Sequence, residues 1–390
     1  MIALLLRLKR FCGFIVGIVF FLSGIVKLMD PVGAGLVMDE YYRFLHIDFL
    51  SFSAKLMGTL FAFVETITGA ALVTGVWRRF SARIALYLQI FFTLLTLALV
   101  IFNPEMDCGC FGEAIHLTHM QTFLKNLILL ALLLAYLIPL RHLGETRKKK
   151  YVSFAIVTVS VLAFTIYSWI YIPMIDFTAY KPGAELSASA SIDPEDMYES
   201  VFTYEKDDIL ETFSLENLPD SSWTFVSTET RMKEAPTSLV ELSFYNPETG
   251  EYMDTLATKG KVMIVSVYDT DMNEKKWSKI EDFMKRSEEA GFTSLLLCSQ
   301  KDRIPADLTD CAYISDYKSL ISMNRSNGGV TYFHNGTLIR KWAYVSAPDT
   351  EGLHETFETD ETEVSIARES KGSLVFQGFL LYIFAVMLLL

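Results

Sequence analysis

Basic charge is scarce in the second half of this chain. Residues 174–390 carry 19 Lys and Arg against 37 Asp and Glu, a net of −18. That sign repels a phosphate backbone and excludes nucleic acid as a partner. A cleavage site is missing from the N-terminus. MIALLLRLKRFCGFIVGIVFFLSG begins like a secretory signal, but the apolar run after Arg10 is too long and no small-residue site follows it. It reads as a retained first span. Cysteine is sparse too, at 5 in 390 residues, so the closely spaced Cys108 and Cys110 stand out.

Apolar residues, by contrast, make up 51% of the chain, and mean hydropathy is +0.31. That is too apolar for an ordinary soluble protein. Residues 1–173 hold 15 basic and 9 acidic side chains, a net of +6, so a membrane part precedes an acidic aqueous part. Spans of about 20 apolar residues are expected at 11–29, 55–76, 81–102, 120–140 and 151–173, with a shorter sixth at 373–390. Basic clusters around Arg7–Arg10, Arg78–Arg83 and Arg141–Lys150 fall on one side if every window crosses. The positive-inside bias then puts the N-terminus in the cytoplasm, with loops 30–54 and 103–119 and the block 174–372 outside. In a bacterium this means the inner membrane and the periplasm, where disulfides persist. YYRFLHIDFLSF, in the first outer loop, suits a short helix along the interface.

Cys108 and Cys110 sit in NPEMDCGCFGE, at the outer mouth of the third span. A disulfide wants Cα atoms roughly 4.4–6.8 Å apart, which an i,i+2 pair reaches only in a tight ring. Gly109 supplies the backbone freedom for it. Such a bond is labile and oxidising, and Phe111 and Gly112 would keep it within reach of a lipid-soluble quinone. The alternatives are a structural staple and two unpaired thiols. His116 and His119 complete a formal Cys₂His₂ set, but both spacings are tighter than those of zinc sites, so no metal is assigned. Glu65 lies near the middle of the second span and Lys27 near the outer end of the first. Ionisable groups there are expensive and face the bundle interior. They serve either as a proton relay for thiol or quinone chemistry or as a tie between helices; their difference in depth leaves direct contact open. Gly69, Ala70 and Gly75 permit close helix approach, and Cys12 reads as packed and inert.

SGIVKLMDP, ETITG and above all DCGCFGEAIHLT followed by QTFLKN resemble the MauE/DoxX-type membrane redox proteins over about residues 10–140. The resemblance implies a four-helix bundle associated with disulfide or quinone-linked work, often in an accessory role. It also implies that Cys108 and Cys110 are the redox pair and Lys27 and Glu65 the polar bundle residues. Spans five and six lie outside that pattern and would carry the aqueous domain.

The aqueous half opens with a polar linker, KPGAELSASASIDPED. ESVFTYEK-DD-ILETFSL reads as a hairpin and SSWTFVSTE as a further strand. GKVMIVSVYD is a buried strand. Residues 273–290 are helical, with Trp277, Ile280, Phe283 and Met284 on one face, and FTSLLLCS, CAYISDY and the hairpin VTYFHNGTLIRKW follow. This order resembles a thioredoxin-like domain over about 240–345. YDTDMNEK holds no C-x-x-C where a helix N-terminus would activate one, and Gly328 stands where a cis-proline is usual. Such a domain is suited to docking, with no dithiol of its own. Cys298 and Cys311 are either a structural disulfide or two separate thiols. The acidic run 355–370 reads as a solvated segment before the last span.

The expected fold class is a membrane α-helical four-helix bundle plus two further spans, with an α/β thioredoxin-like extracytoplasmic domain. The expected domains are 1–145 bundle, 146–176 fifth helix, 177–240 linker and hairpin, 241–350 thioredoxin-like, 351–372 acidic linker and 373–390 last helix. The leading function is a thiol–disulfide relay at Cys108 and Cys110, between a periplasmic protein partner and the quinone pool, with quinone as candidate cofactor. The alternative is a non-enzymatic assembly subunit of an envelope complex.

Overall fold

A computed structural model describes residues 2–104, 106–137, 146–187, 198–206, 209–214, 218–219, 223–232, 239–309 and 311–389. Six helices among them are long and apolar enough to cross a membrane: Arg7–Met29, Asp48–Thr74, Arg78–Phe102, His119–Leu137, Lys148–Ile170 and Lys371–Leu389. Arg141 and residues 138–140 of the fourth expected span lie outside the described residues.

Helix α1 (Ile2–Met29) is the axis of the bundle. One side packs Cys12, Val16 and Phe20 against Leu72 of α3 (Ala54–Thr74), Ala85 of α4 (Arg78–Phe102) and Leu133 of α5 (His119–Leu137). The other packs Phe21, Ile25 and Leu28 against Val157 and Val161 of α6 (Lys148–Ile170) and Ile383 of α11 (Glu361–Leu389). The fifth and sixth spans are therefore packed parts of the bundle. The α1–α3 seam is tight because it is lined with small residues. A Cβ on Gly17 would lie 2.9 Å from Leu72 Cβ, and one on Gly69 would strike Phe21 N and lie 2.6 Å from Gly17 O. Backbone cannot yield there, so Gly69→Val is expected to cost about 3 kcal/mol. Thermal unfolding in detergent checks this, and an unchanged midpoint would mean the seam is looser than it looks.

Between α1 and α3 the chain makes α2 (Pro31–Phe44) and a 3₁₀ turn, Asp48–Ser53. Asp30 caps α2, its side chain accepting from Gly33 N at 2.9 Å, with Pro31 at the first position. At the opposite end of the bundle, Lys150 donates to Met387 O at 2.9 Å and Thr146 donates to Gly75 O. The start of α6, the end of α3 and the end of α11 thus meet at the end that carries the Arg78 and Lys150 clusters.

The C-terminal region is built on an eight-stranded mixed sheet. Its strands are β2 (Glu185–Leu186), β6 (Leu239–Val240), β7 (Phe244–Tyr245), β8 (Lys261–Val267), β9 (Thr293–Cys298), β10 (Ala312–Ser315), β11 (Gly329–His334) and β12 (Thr337–Trp342), in the order β6-β2-β12-β11-β8-β9-β10-β7. Parallel β8 and β9 are joined through α7 (Glu274–Glu289), and β11 pairs antiparallel with both β8 and β12. Trp277, Ile280, Phe283 and Met284 bury the apolar stripe of α7 on one face. Leu320 and Met323 of α9 (Tyr317–Met323) cover the other.

Two expectations change and one is extended. Residues 185–186 of the supposed linker add a strand to the sheet beside β12, with Thr337 opposite Glu185; residues 188–197 lie outside the described residues. The expected hairpin forms from β3 (Tyr198–Lys206) and β4 (Ile209–Ser214), and the further strand expected after it, β5 (Thr224–Met232), pairs with β3 to complete a three-stranded sheet. The acidic run before the last span is helical, forming the end of α10 (Thr350–Glu358) and the first turns of α11. Its charges do not prevent helix formation, since Asp349 caps α10 through Gly352 N at 3.0 Å.

Candidate functional site

The Cys-Gly-Cys segment lies in the loop between α4 and α5, and Cys110 begins the short strand β1 (Cys110–Glu113). Gly109 has φ +61° and a Cβ there would strike Val37 of α2, so conformation and space both demand glycine. The backbone is pinned from below. Tyr41 of α2 donates its hydroxyl to Cys108 O at 2.8 Å. Ser23 of α1 donates to Cys110 O at 2.7 Å.

Lys27 and Glu65 come together directly beneath. The Lys27 ammonium lies 2.7 Å from Glu65 Oε2 and 3.2 Å from Ser23 Oγ. A polar chain thus runs from the middle of α3 to the loop, but it ends on the Cys110 carbonyl and not on sulfur. Its direct effect is to hold the loop in place.

Cys108 and Cys110 are both present as thiols. Cys108 is 5% exposed, and Cys110 is half-buried. Burial pushes the Cys108 thiol above its ordinary value, and nearby Cys110 and Asp107 add to the rise against Thr122 and Lys125. At neutral pH Cys108 is therefore a protonated thiol. Cys110 is the sulfur a second thiol reaches more readily.

Under the loop is a cavity of about 340 Å³, within the size range of small-molecule sites. Its walls are mostly apolar, and Phe61 and Phe91 stack along one side with centroids 5.9 Å apart. Polar groups enter from three directions: Lys27 with Glu65, Tyr41, and the Gln89–Asn126 pair. Gln89 Nε2 donates to Asn126 O at 3.0 Å, and Asn126 Nδ2 donates to Thr96 Oγ1 at 3.2 Å. Cys108 and Cys110 form part of the same wall.

The C-terminal region sits on this loop. Arg325, in the turn between α9 and β11, donates from Nε to Asp30 Oδ2 at 3.0 Å, from Nη1 to Ile321 O at 3.1 Å and from Nη2 to Glu113. Its side chain is 4% exposed. Burial alone would lower its pKa, but Asp30 and Glu113 together raise it, so it is a firmly held buried cation. Lys341 makes a second tie, 2.6 Å from Asp176 Oδ2. Asn324 shapes the turn, donating to Val330 O and Trp342 O at 3.1 Å each.

Sequence reasoning did not single out Tyr41, Ser23, Gln89, Asn126, Asp30, Glu113 or Arg325. Gln89 and Asn126 carried a usable signal, as polar residues inside apolar spans. Arg325 carried none, because its partners are 295 and 212 residues away. His119 Nε2 lies 3.0 Å from Met106 O, and His116 Nδ1 lies 3.3 Å from Asp107. Neither meets the cysteines in a metal-binding group among the described residues. Cys12 is packed beside Val16 and Phe20. Cys298 is a buried thiol, and Cys311 donates to Leu308 O at 3.3 Å; no disulfide joins them.

Residues 3–139 match the family described as methylamine utilisation protein MauE. The membrane part is thus similar to a MauE-type membrane protein, a family whose description places it in methylamine utilisation. Residues 198–235, the three-stranded sheet, match a domain of unknown function, DUF8463. No curated protein and no solved structure matched the chain.

Proposed function

We propose that this protein is a membrane thiol–disulfide relay whose reactive pair is Cys108 and Cys110. The observation that carries the reading is the shared wall: both cysteines border the cavity that also receives Lys27, Glu65 and Tyr41. In this reading the cavity takes a quinone. Oxidation of the two thiols to a disulfide releases two electrons and two protons, which convert the quinone to its quinol. The disulfide is then reduced by a dithiol of a protein partner, which leaves oxidised. Cys110 is the sulfur that exchanges with the partner, since Cys108 is buried and protonated. Lys27 hydrogen-bonds one quinone oxygen, with Glu65 holding the ammonium in place.

The positive-inside bias supports a cytoplasmic N-terminus, with the loop and the C-terminal domain on the periplasmic side of a bacterial inner membrane. We read that domain as thioredoxin-like on the β8-α7-β9 unit and the β11–β12 hairpin, with docking as its role. The accessory-subunit reading draws support from Arg325: the turn where a thioredoxin would grip its client is buried against the protein's own membrane part.

Maleimide trapping in cells separates the two. A relay shows Cys108 and Cys110 shifting towards the reduced form when quinone is depleted, and Cys108→Ala, which cannot form the disulfide, leaves the partner dithiol reduced. A pair that stays in one state under both conditions would refute the relay. In the reduced purified protein, Cys110 is expected to alkylate faster than Cys108. Because the Cys108 pKa is raised, its rate climbs only above the pH where an ordinary thiol, near 8.5, has already ionised. Equal rates across the pH range would contradict the assignment of Cys110 as the sulfur that exchanges with the partner.

A further inference from the structure

A second cavity, of about 330 Å³, lies between the membrane part and the C-terminal domain. Its membrane side is made by the start of α2, by Lys55 in the first turn of α3 and by the end of α6, at Ser168–Tyr171. Those three termini all lie at the Cys-Gly-Cys end of the bundle. Tyr167 and Tyr171 stack there, with centroids 4.7 Å apart, and Trp169 is their neighbour. Aromatic residues at a helix end mark the level of lipid headgroups. The roof is Tyr268, Ser326 and Asn327 with Lys276 and Tyr344.

The charges in this cavity do not balance. Lys55, Lys276 and Arg325 face it, and Asp30 is its one carboxylate. Asp30 is already engaged, accepting from Arg325 Nε at 3.0 Å and from Gly33 N at 2.9 Å. The Lys55 ammonium rests 4.5 Å above the Trp169 ring, and that of Lys276 lies 5.5 Å from the Tyr344 ring centroid. Neither lysine makes an ion pair among the described residues; Asp30 attracts Lys55 without pairing to it, and Lys276 repels it more weakly. Ser326 Oγ accepts from Tyr344 N at 2.9 Å, which leaves its own hydrogen free to donate. Two ammonium groups held together on aromatic rings at this depth lack a common anion. We propose that the cavity binds a phosphate group, shared between Lys55 and Lys276 and supplied at the membrane surface by an anionic phospholipid headgroup or by soluble phosphate. A bound phosphate would bridge the membrane part and α7, adding a third tie beside those of Arg325 and Lys341.

The test uses the full-length protein purified in neutral detergent. Phosphatidylglycerol, phosphatidylcholine and inorganic phosphate are added separately, and bound adducts are counted by native mass spectrometry. Selective retention of phosphatidylglycerol is expected, and the Lys55→Gln/Lys276→Gln variant should bind it about 25-fold more weakly, at roughly fivefold for each lysine at an anionic surface. The Lys55→Arg/Lys276→Arg variant should retain it. Retention of inorganic phosphate, lost in the same Gln variant, would also support the site and assign it to soluble phosphate. Retention of phosphatidylglycerol by the Gln variant at the wild-type level, or no preference over phosphatidylcholine and no phosphate adduct in the wild type, overturns the proposal. Unchanged maleimide labelling of Cys110 in the Gln variant verifies that it is folded.

Discussion

Replacing Arg325 by leucine is expected to release the C-terminal domain from the membrane part and to expose the Cys-Gly-Cys loop. The guanidinium is 4% exposed and holds two carboxylates, Asp30 and Glu113, whose side chains are 19% and 30% exposed. Without it, these two negative charges face each other across a largely dry seam. Removing one partner of a buried ion pair costs about 3–5 kcal/mol, most of it from the charge left behind. Here the carboxylates have a cheap escape, since undocking returns them to water. The cost therefore appears as a shift in the docking equilibrium and leaves the sheet itself intact. A shift of about 3 kcal/mol is roughly a hundredfold in that equilibrium. Cys110 adjoins Glu113 on β1, so its maleimide labelling should rise steeply in Arg325→Leu. Hydrogen exchange at residues 324–329 should rise with it.

The milder variant Glu113→Gln separates docking from a general loss of stability. Burial raises the Glu113 pKa, and Arg325 opposes that rise only in part. A neutral amide at this place therefore removes part of the ion pair and also part of the desolvation cost. Its labelling rate is expected between those of wild type and Arg325→Leu. If all three proteins label Cys110 equally, the docked arrangement does not limit access to the loop. A protein partner would then reach Cys110 without displacing the C-terminal domain.

Several features of this architecture were legible in the sequence because they rest on local rules. Span positions follow from apolar runs that must satisfy their backbone internally. The stripe Trp277–Ile280–Phe283–Met284 set the buried face of α7 without any knowledge of its neighbours. Gly109 advertised an unusual backbone, and its φ of +61° is of that kind. What escaped is non-local. Residues 185–186 lie in a polar stretch, and only pairing with β12 on one side and β6 on the other makes them a strand. The charges in 355–370 read as a solvated linker, yet residues 355–358 end one helix and residues 361–370 begin the next. Lys27 and Glu65 were conspicuous as charges in apolar spans, but their contact depends on how closely α1 and α3 approach. Gly17 and Gly69 set that approach.

That contact is also where the second large effect is expected, and the depth of the two residues makes it asymmetric. Lys27 is two residues from the end of α1, and its ammonium is bonded to both Glu65 and Ser23. In Glu65→Leu the long lysine side chain turns outward towards the surface and recovers water, as lysines near helix ends do. Glu65 lies in the middle of α3 and is 4% exposed. In Lys27→Met its short side chain has no such route, so the carboxylate is left buried without its partner. Lys27→Met should therefore destabilise by about 3–5 kcal/mol, the cost of a broken buried pair, and Glu65→Leu by clearly less. The double variant Lys27→Met/Glu65→Leu should recover most of the loss, because two apolar groups leave no charge unsatisfied. Thermal unfolding of the three variants in one detergent measures the coupling. Strict additivity would show that the two groups are held independently and that the polar chain beneath the cysteines is not a unit. Recovery of stability in the double variant without recovery of thiol cycling would separate the role of the pair in packing from its role at the cavity.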